Sequence, residues 1–327
     1  MPVFQENDPM LTNKKLLVRG NLNEGMIETL HQRFPGMELV VARYDDATIR
    51  EHIRDAHVIY GPVAKELFVE AVNLEYIHVG NQGVQWAYYP ELKNSDVTIT
   101  NAYGVWSPAM AEHIVMLSLA LLRGLKPHVV GMADRVWRPK GVDYACLRGK
   151  TVVFIGAGTI AQACAPLFLA FGCTTVAVGR TGTPDERFDR VHTVDSLADA
   201  VGEGDILVNA LPSTPDTEGL IGVDIIARMK PTALFINVGR GNTVDEHALI
   251  AALQEGRLGG AGIDVAQVEP LPDDNPLWTL DNVIVTGHTS GTAGDMRAIS
   301  FELLLENLTR YHEGRDLLHV VDKQRGY

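Results

Sequence analysis

Cysteine is scarce in this sequence, with three thiols (Cys146, Cys164 and Cys173) in 327 residues. An odd number at unpaired spacings supplies neither a disulfide framework nor a Cys-type metal site. No metal is therefore expected, and a reduced, cytoplasmic setting is. Positive charge is also short. Lys and Arg number 28 against 41 Asp and Glu, a formal net charge of −13, whereas a grip on nucleic-acid phosphates needs a basic surplus. Long apolar runs are missing too. The longest, residues 114–122, is hemmed by Glu112, His113 and Arg123 and is too short to span a bilayer. The first residues lack the basic start and apolar centre of a signal peptide. Neither a nucleic acid nor a membrane is expected as a partner.

What is present is alternation. Apolar runs at residues 16–20, 39–43, 57–61, 76–80 and 97–100 are separated by amphipathic stretches such as 24–34, 47–56 and 64–72. Strand, helix, strand at this spacing predicts a parallel sheet covered by helices. Residues 1–13 are polar and read as loose. Several of these runs end in Gly, at the edge where open α/β sheets take ligands. Gly80-Asn-Gln-Gly-Val84 is accordingly a candidate ligand loop, and equally a simple turn.

Residues 108–125 read as a long helix, with Ser107 as its N-cap and Pro108 at its first position. Apolar residues cover most of its circumference, which predicts burial on more than one side, against a second domain or subunit. Residues 126–148 read as irregular. A second α/β series follows, with strands at 151–155, 175–178, 206–211, 233–238, 260–265 and 283–286. Helices are predicted at 196–201, 223–229 and 245–255, and a last one at 294–310.

The second series opens on Thr151-Val-Val-Phe-Ile-Gly-Ala-Gly-Thr-Ile-Ala161. A strand that turns through Gly156 and Gly158 into a helix starting at Thr159-Ile160 aims backbone N–H groups and a positive helix end at one spot, which suits a phosphate. Gly156 would permit the tight turn and Gly158 the approach of a pyrophosphate. A tight turn without a ligand uses the same residues. About twenty positions on, dinucleotide folds place an acidic residue against the adenosine ribose. Here that place reads Val178-Gly-Arg-Thr181. With no carboxylate and with Arg180 and Thr181 present, a ribose 2′-phosphate is accommodated, so NADP(H) is expected in preference to NAD(H).

Three further clusters carry chemistry. Arg240 stands between two glycines in Ile236-Asn-Val-Gly-Arg-Gly241, where its fork of donors fits a carboxylate, although a surface Arg in a Gly turn reads the same way. Asp264 lies at or just past a strand end in Gly262-Ile-Asp-Val265, with Glu269-Pro-Leu-Pro272 just beyond it. His288 lies in Val285-Thr-Gly-His-Thr-Ser-Gly291. Glu269 is within plausible reach of His288, and a carboxylate beside an imidazole favours its charged form. Such a pair makes a general acid able to work near neutral pH.

Over residues 74–319 the chain resembles the D-isomer-specific 2-hydroxyacid dehydrogenases. The resemblance rests on Leu147-Arg-Gly-Lys-Thr-Val-Val-Phe-Ile-Gly-Ala-Gly158, Leu211-Pro-Ser-Thr-Pro-Asp-Thr217, Asn237-Val-Gly-Arg-Gly241, Gly262-Ile-Asp-Val with Glu269-Pro-Leu, and Gly287-His-Thr-Ser-Gly291. It implies an α/β chain of two doubly wound domains. A Rossmann-type cofactor domain (104–296) would be inserted into a flavodoxin-like substrate domain (1–103 and 297–327). It further implies reversible reduction of a small 2-oxo acid to a D-2-hydroxy acid by a nicotinamide cofactor. Arg240 would clamp the carboxylate, His288 would act as acid/base with Glu269 as its partner, and Gln82-Gly83 would offer N–H groups to the substrate. Ser107, the Leu211-Pro212 turn and Asp264 would border the cofactor. The family usually dimerises through the cofactor domain, so a homodimer is expected.

The chain departs from the family in places. Gln82 and Gln85 replace a common aliphatic residue and a common Asp, and Gly287 replaces a frequent Pro. Gln82 would suit a polar substrate such as hydroxypyruvate or glyoxylate, or would bond within its own loop. Glu269 speaks against a formate-type relative. A phosphite-oxidising relative and a dinucleotide-sensing corepressor keep the same residues and stay open.

Overall fold

The computed structural model describes residues 14–294 and 296–326. The loose stretch expected at 1–13 lies outside the described residues. The chain divides into two compact units, one running up to Val105 and again from Ala293, the other Trp106–Thr292.

The first unit is a five-stranded sheet of Lys15–Val18 (β1), Glu38–Val41 (β2), Val58–Tyr60 (β3), Tyr76–Val79 (β4) and Thr98–Asn101 (β5). The strands are all parallel, in the order β2-β1-β3-β4-β5, the flavodoxin-like doubly wound arrangement. β1 and β4 are buried along their whole length, as parallel strands covered on both faces must be. Asn23 and Asp45 cap the helices Glu24–Arg33 and Asp46–His52 by accepting N–H groups of their first turns. The last helix, Met296–His312, packs Phe301, Leu304, Leu305 and Leu308 into this unit's core. Beyond β4, Asn101 donates to the Gln82 carbonyl at 2.8 Å and Ala102 N–H to the Asn81 carbonyl at 3.0 Å. The loop that follows β4 is thus pinned to the end of β5.

The second unit holds seven parallel strands: Thr151–Ile155 (β6), Thr174–Gly179 (β7), Arg190–Thr193 (β8), Ile206–Asn209 (β9), Leu234–Asn237 (β10), Gly260–Ile263 (β11) and Val283–Val285 (β12). Their order, β12-β11-β10-β9-β6-β7-β8, is the Rossmann order with one strand added at the far edge. The polar strand β8 has no counterpart among the expected runs.

Two local expectations are corrected. The long helix is Ser107–Leu122, with Trp106 in the N-cap position and no capping side chain. Ser107 is therefore its first residue and not its cap. The stretch expected to be irregular contains the helix Leu125–Ala133. Gly124, at φ 59°, turns the chain between the two helices, which are bent by 68°. Pro127 falls in the new helix's first turn, where a missing N–H is harmless. None of this helix's residues is buried, and Val130 and Met132 are 60% and 74% exposed. Among the described residues no single helix is long and apolar enough to cross a membrane.

The first unit also encloses a polar triangle. Tyr76 Oη, His78 Nδ1 and Thr100 Oγ1 lie 2.7–3.1 Å apart, all on buried side chains, and His78 Nε2 is buried with no partner. Burial holds this imidazole neutral and pushes its pKa down to about 3. An unfolded chain takes up the proton near about 6.5, so between those values the unfolded state binds more protons and folding weakens as pH falls. The thermal midpoint should drop between pH 7 and pH 5, and His78→Gln should flatten that slope. Equal slopes in calorimetric scans of the two proteins would show that His78 is not the source.

Candidate active site

The strand-end loops of the second unit's sheet carry the glycine turn, Arg180, Leu211-Pro212, Arg240, Asp264, Glu269 and His288, whereas Gln82 and Gly83 belong to the first unit. After β6, Gly156 takes φ 109°, and a Cβ there would lie 3.0 Å from the Ala210 carbonyl oxygen. The position requires glycine because two strand-end loops meet there. The helix Thr159–Ala170 begins directly beyond, with Gly158 in the N-cap position and no side-chain cap. Two hydroxyls of this region, Ser107 Oγ and Thr159 Oγ1, are buried without a hydrogen-bond partner. Buried polar atoms are rarely left so. An uncapped helix N-terminus with two orphaned hydroxyls fits the phosphates and polar edges of a dinucleotide.

β9 and β10 pair with Asn209 opposite Asn237, and both amides are buried. Asn209 Nδ2 donates to Asn237 Oδ1 and to Thr243 Oγ1, each at 2.8 Å. Asn209 Oδ1 accepts Leu211 N–H, Asn237 Nδ2 donates to the Val265 carbonyl, and Thr243 Oγ1 donates to the Arg240 carbonyl. This lattice ties the turn at Leu211-Pro212, the loop carrying Arg240 and the segment after Asp264 into one piece. Gly241 tightens it further, because a Cβ there would fall 1.8 Å from the Ala266 carbonyl oxygen. The half-buried Arg240 donates from Nη1 to the Gly239 carbonyl at 2.7 Å.

Asp264 follows β11 and is 2% exposed. Its Oδ1 accepts Thr286 Oγ1–H at 2.6 Å and Thr289 N–H at 2.9 Å, and its Oδ2 accepts Ser290 N–H at 3.1 Å. Burial works to raise its pKa, but these hydrogen bonds outweigh that and hold it below the usual carboxylate range. The Asp264 carbonyl accepts His288 N–H at 2.8 Å. His288 is thereby held at φ 55°, a left-handed conformation uncommon outside glycine. The result is a partly exposed imidazole whose Nδ1 lies 2.7 Å from Glu269 Oε2. Glu269 Oε1 in turn accepts Ala266 N–H at 3.1 Å.

Known proteins resemble the chain in both sequence and fold. Residues 115–290 match the model of the D-isomer specific 2-hydroxyacid dehydrogenase, NAD binding domain. The chain belongs to that dehydrogenase family. It is 32% identical over 248 residues to the mouse glyoxylate reductase/hydroxypyruvate reductase, covering 75% of this chain and 76% of that one. A family member from Aeromonas salmonicida superposes with a TM-score of 0.84 at 30% identity, over 95% of this chain and 99% of that one. An NADPH-dependent glyoxylate/hydroxypyruvate reductase from Sinorhizobium meliloti, solved with NADP and sulfate, gives 0.82 at 28% identity, over 96% and 100%.

The dehydrogenase is thus an NAD(P)-dependent oxidoreductase. At its β7 tip Arg180 and Thr181 are exposed. The nearby Asp185 is engaged by Arg187 through two bonds at 2.7 and 2.6 Å, which hold its carboxyl below the ordinary range. In the other unit, Gln82 Oε1 is buried without a partner, so the Gln82 amide oxygen does not bond within its own loop. Sequence reasoning missed Asn209, Asn237, Thr243 and Asn101. An Asn closing two apolar runs, Ile-Leu-Val-Asn209 and Leu-Phe-Ile-Asn237, was the available signal. His113, half-buried on the long helix, was also missed; its Nε2 lies 3.1 Å from Thr286 Oγ1. Burial lowers its pKa, and Asp264, 3.7 Å away, opposes the shift.

Proposed function

We propose that this dehydrogenase reduces a small polar 2-oxo acid of the glyoxylate or hydroxypyruvate type to its D-2-hydroxy acid, with NADP(H) preferred over NAD(H). The observation that carries the reading is the Glu269–His288 contact of 2.7 Å. With Nδ1 committed to the carboxylate, a protonated His288 presents Nε2–H to the ketone oxygen. That proton moves to the oxygen as the carbonyl carbon is reduced, and His288 is left neutral beside Glu269. A bound nicotinamide dinucleotide supplies the hydride. Gly156, Gly158, Thr159 and Ile160 would hold its pyrophosphate, Arg180 and Thr181 its 2′-phosphate, and Ser107, Leu211, Pro212 and Asp264 its remaining edges. Arg240 would grip the substrate carboxylate and orient the carbonyl, joined by N–H groups of Gln82 and Gly83. The orphaned Gln82 amide oxygen favours a substrate with a donor, such as the hydroxyl of hydroxypyruvate. The exposed apolar side chains of Met116, Leu125, Val130, Met132 and Phe171 would be covered by a second copy of the chain, since exposed apolar surface of this kind marks association.

Three measurements test the reading. With NADPH, hydroxypyruvate and glyoxylate should turn over better than pyruvate, and His288→Ala should lower kcat by about a hundredfold or more. A near-normal rate would remove His288 from the role, and failure of every 2-oxo acid would remove the activity. Arg180→Ala should cost about tenfold in kcat/KM for NADPH, the usual scale of one charge-assisted bond, while leaving the NADH value within about twofold. Equal losses with both cofactors would refute the phosphate assignment. In sedimentation the protein should run as a dimer and Val130→Glu as a monomer; a wild-type monomer would end the interface proposal.

A further inference from the structure

Residues 267–270, which carry Glu269, are all exposed. Leu271 packs against the core just beyond them, but the exposed part that bears the carboxylate orienting His288 is held by polar ties. Glu246, the first residue of the helix Glu246–Gln254, supplies two of them. Its Oε2 accepts Gln267 N–H at 3.0 Å and its Oε1 accepts Asn275 Nδ2–H at 2.9 Å. Asn275 is itself fixed, since its Oδ1 accepts Leu277 N–H and its own N–H donates to the Pro272 carbonyl, both at 3.0 Å. One carboxylate thus bridges both ends of the segment that contains Glu269. The same stretch of chain carries Arg240 six residues earlier, and Gly241 sets its backbone directly against Ala266.

We propose that Glu246 is a positioning residue of the reaction. It straps the 267–275 loop to the helix behind Arg240 and so keeps Glu269 on His288 Nδ1. This rests on the reading of Glu269 and His288 as the acid/base pair. Glu246 itself touches no reacting atom and acts through Glu269. When the strap is lost, the exposed loop spends part of its time away from the imidazole. The charged form of His288 then loses its partner during the step that needs it.

The test compares wild type with Glu246→Ala, Glu246→Gln and Glu269→Gln. It reads kcat and KM for NADPH and hydroxypyruvate, and by NMR the His288 Nδ1 proton and nitrogen signals that report the hydrogen bond to Glu269. Glu246→Ala should lower kcat by about tenfold, the scale on which outer contacts act through a functional group, with KM for NADPH within about twofold. It should move the His288 Nδ1 signals away from their wild-type position, in the same direction as Glu269→Gln. Glu246→Gln keeps an acceptor for Gln267 N–H but not for Asn275 Nδ2–H, and should recover part of both changes. His288 Nδ1 signals in Glu246→Ala that superimpose on wild type overturn the proposal, whether or not kcat falls. If wild type reduces no 2-oxo acid, the proposed function fails, and the NMR comparison still decides the role of Glu246. Should Glu246→Ala not fold, Asn275→Ala removes one of the two bonds. A smaller shift in the same direction is then expected, and no shift overturns the proposal.

Discussion

The carboxylate of Asp264 is almost fully buried and stays ionised through hydrogen bonds from Thr286, Thr289 and Ser290. Burying a charge costs several kcal/mol unless such bonds repay it, so the loop after β12 is not free to choose another path. That loop is the one bearing His288. Its left-handed backbone is a conformation a histidine adopts only when its surroundings over-determine it, and the Asp264 carbonyl and carboxylate together do so. The orientation of the imidazole thus follows from a group that need not touch the substrate.

The same logic extends across the sheet. Asn209 and Asn237 sit opposite each other at adjacent strand ends and exchange hydrogen bonds with three loops. Fully satisfied buried amides are rigid because breaking any one bond strands a polar atom away from water. Gly241 adds contact without flexibility, since its backbone lies where a side chain cannot. Arg240 and the 266–275 loop are therefore placed by a common framework, whereas the Glu269 tip is exposed and leans on Glu246. Rigid anchors lie beneath the site, and polar straps hold what protrudes from it.

Most of the fold was legible in the sequence because parallel strands buried on both faces read as short continuous apolar runs. β8 was not legible. Arg190-Val-His-Thr193 is an edge strand that pairs with β7 alone and carries little apolar character. The helix Leu125–Ala133 was hidden by Pro127 and Gly131, residues that usually end helices; position in the first turn neutralises the first of them. At the site, the order Arg, Glu, His on successive strand-end loops was readable, and the structure brings Glu269 and His288 into contact. The asparagine lattice was not readable, because an Asn at the end of a run looks like the start of a turn. The register that sets Asn209 against Asn237 exists only in three dimensions. Ser107 was assigned as a cap, whereas the helix begins at that residue and leaves its hydroxyl unpartnered.

The first unit is discontinuous, and that has a consequence for how the chain comes to be folded. Ser300 Oγ donates to the Gly80 carbonyl across 220 positions of sequence, and Val320 bridges to Thr100. The helix Met296–His312 also fills one side of the first unit's core. None of these contacts can form on a ribosome until residues 296–320 have emerged. The second unit, continuous from Trp106 to Thr292, is complete before then. Synthesis from the N-terminus thus leaves the earlier part of the first unit to be finished after the second, its apolar strands unpartnered on one side while the other unit assembles.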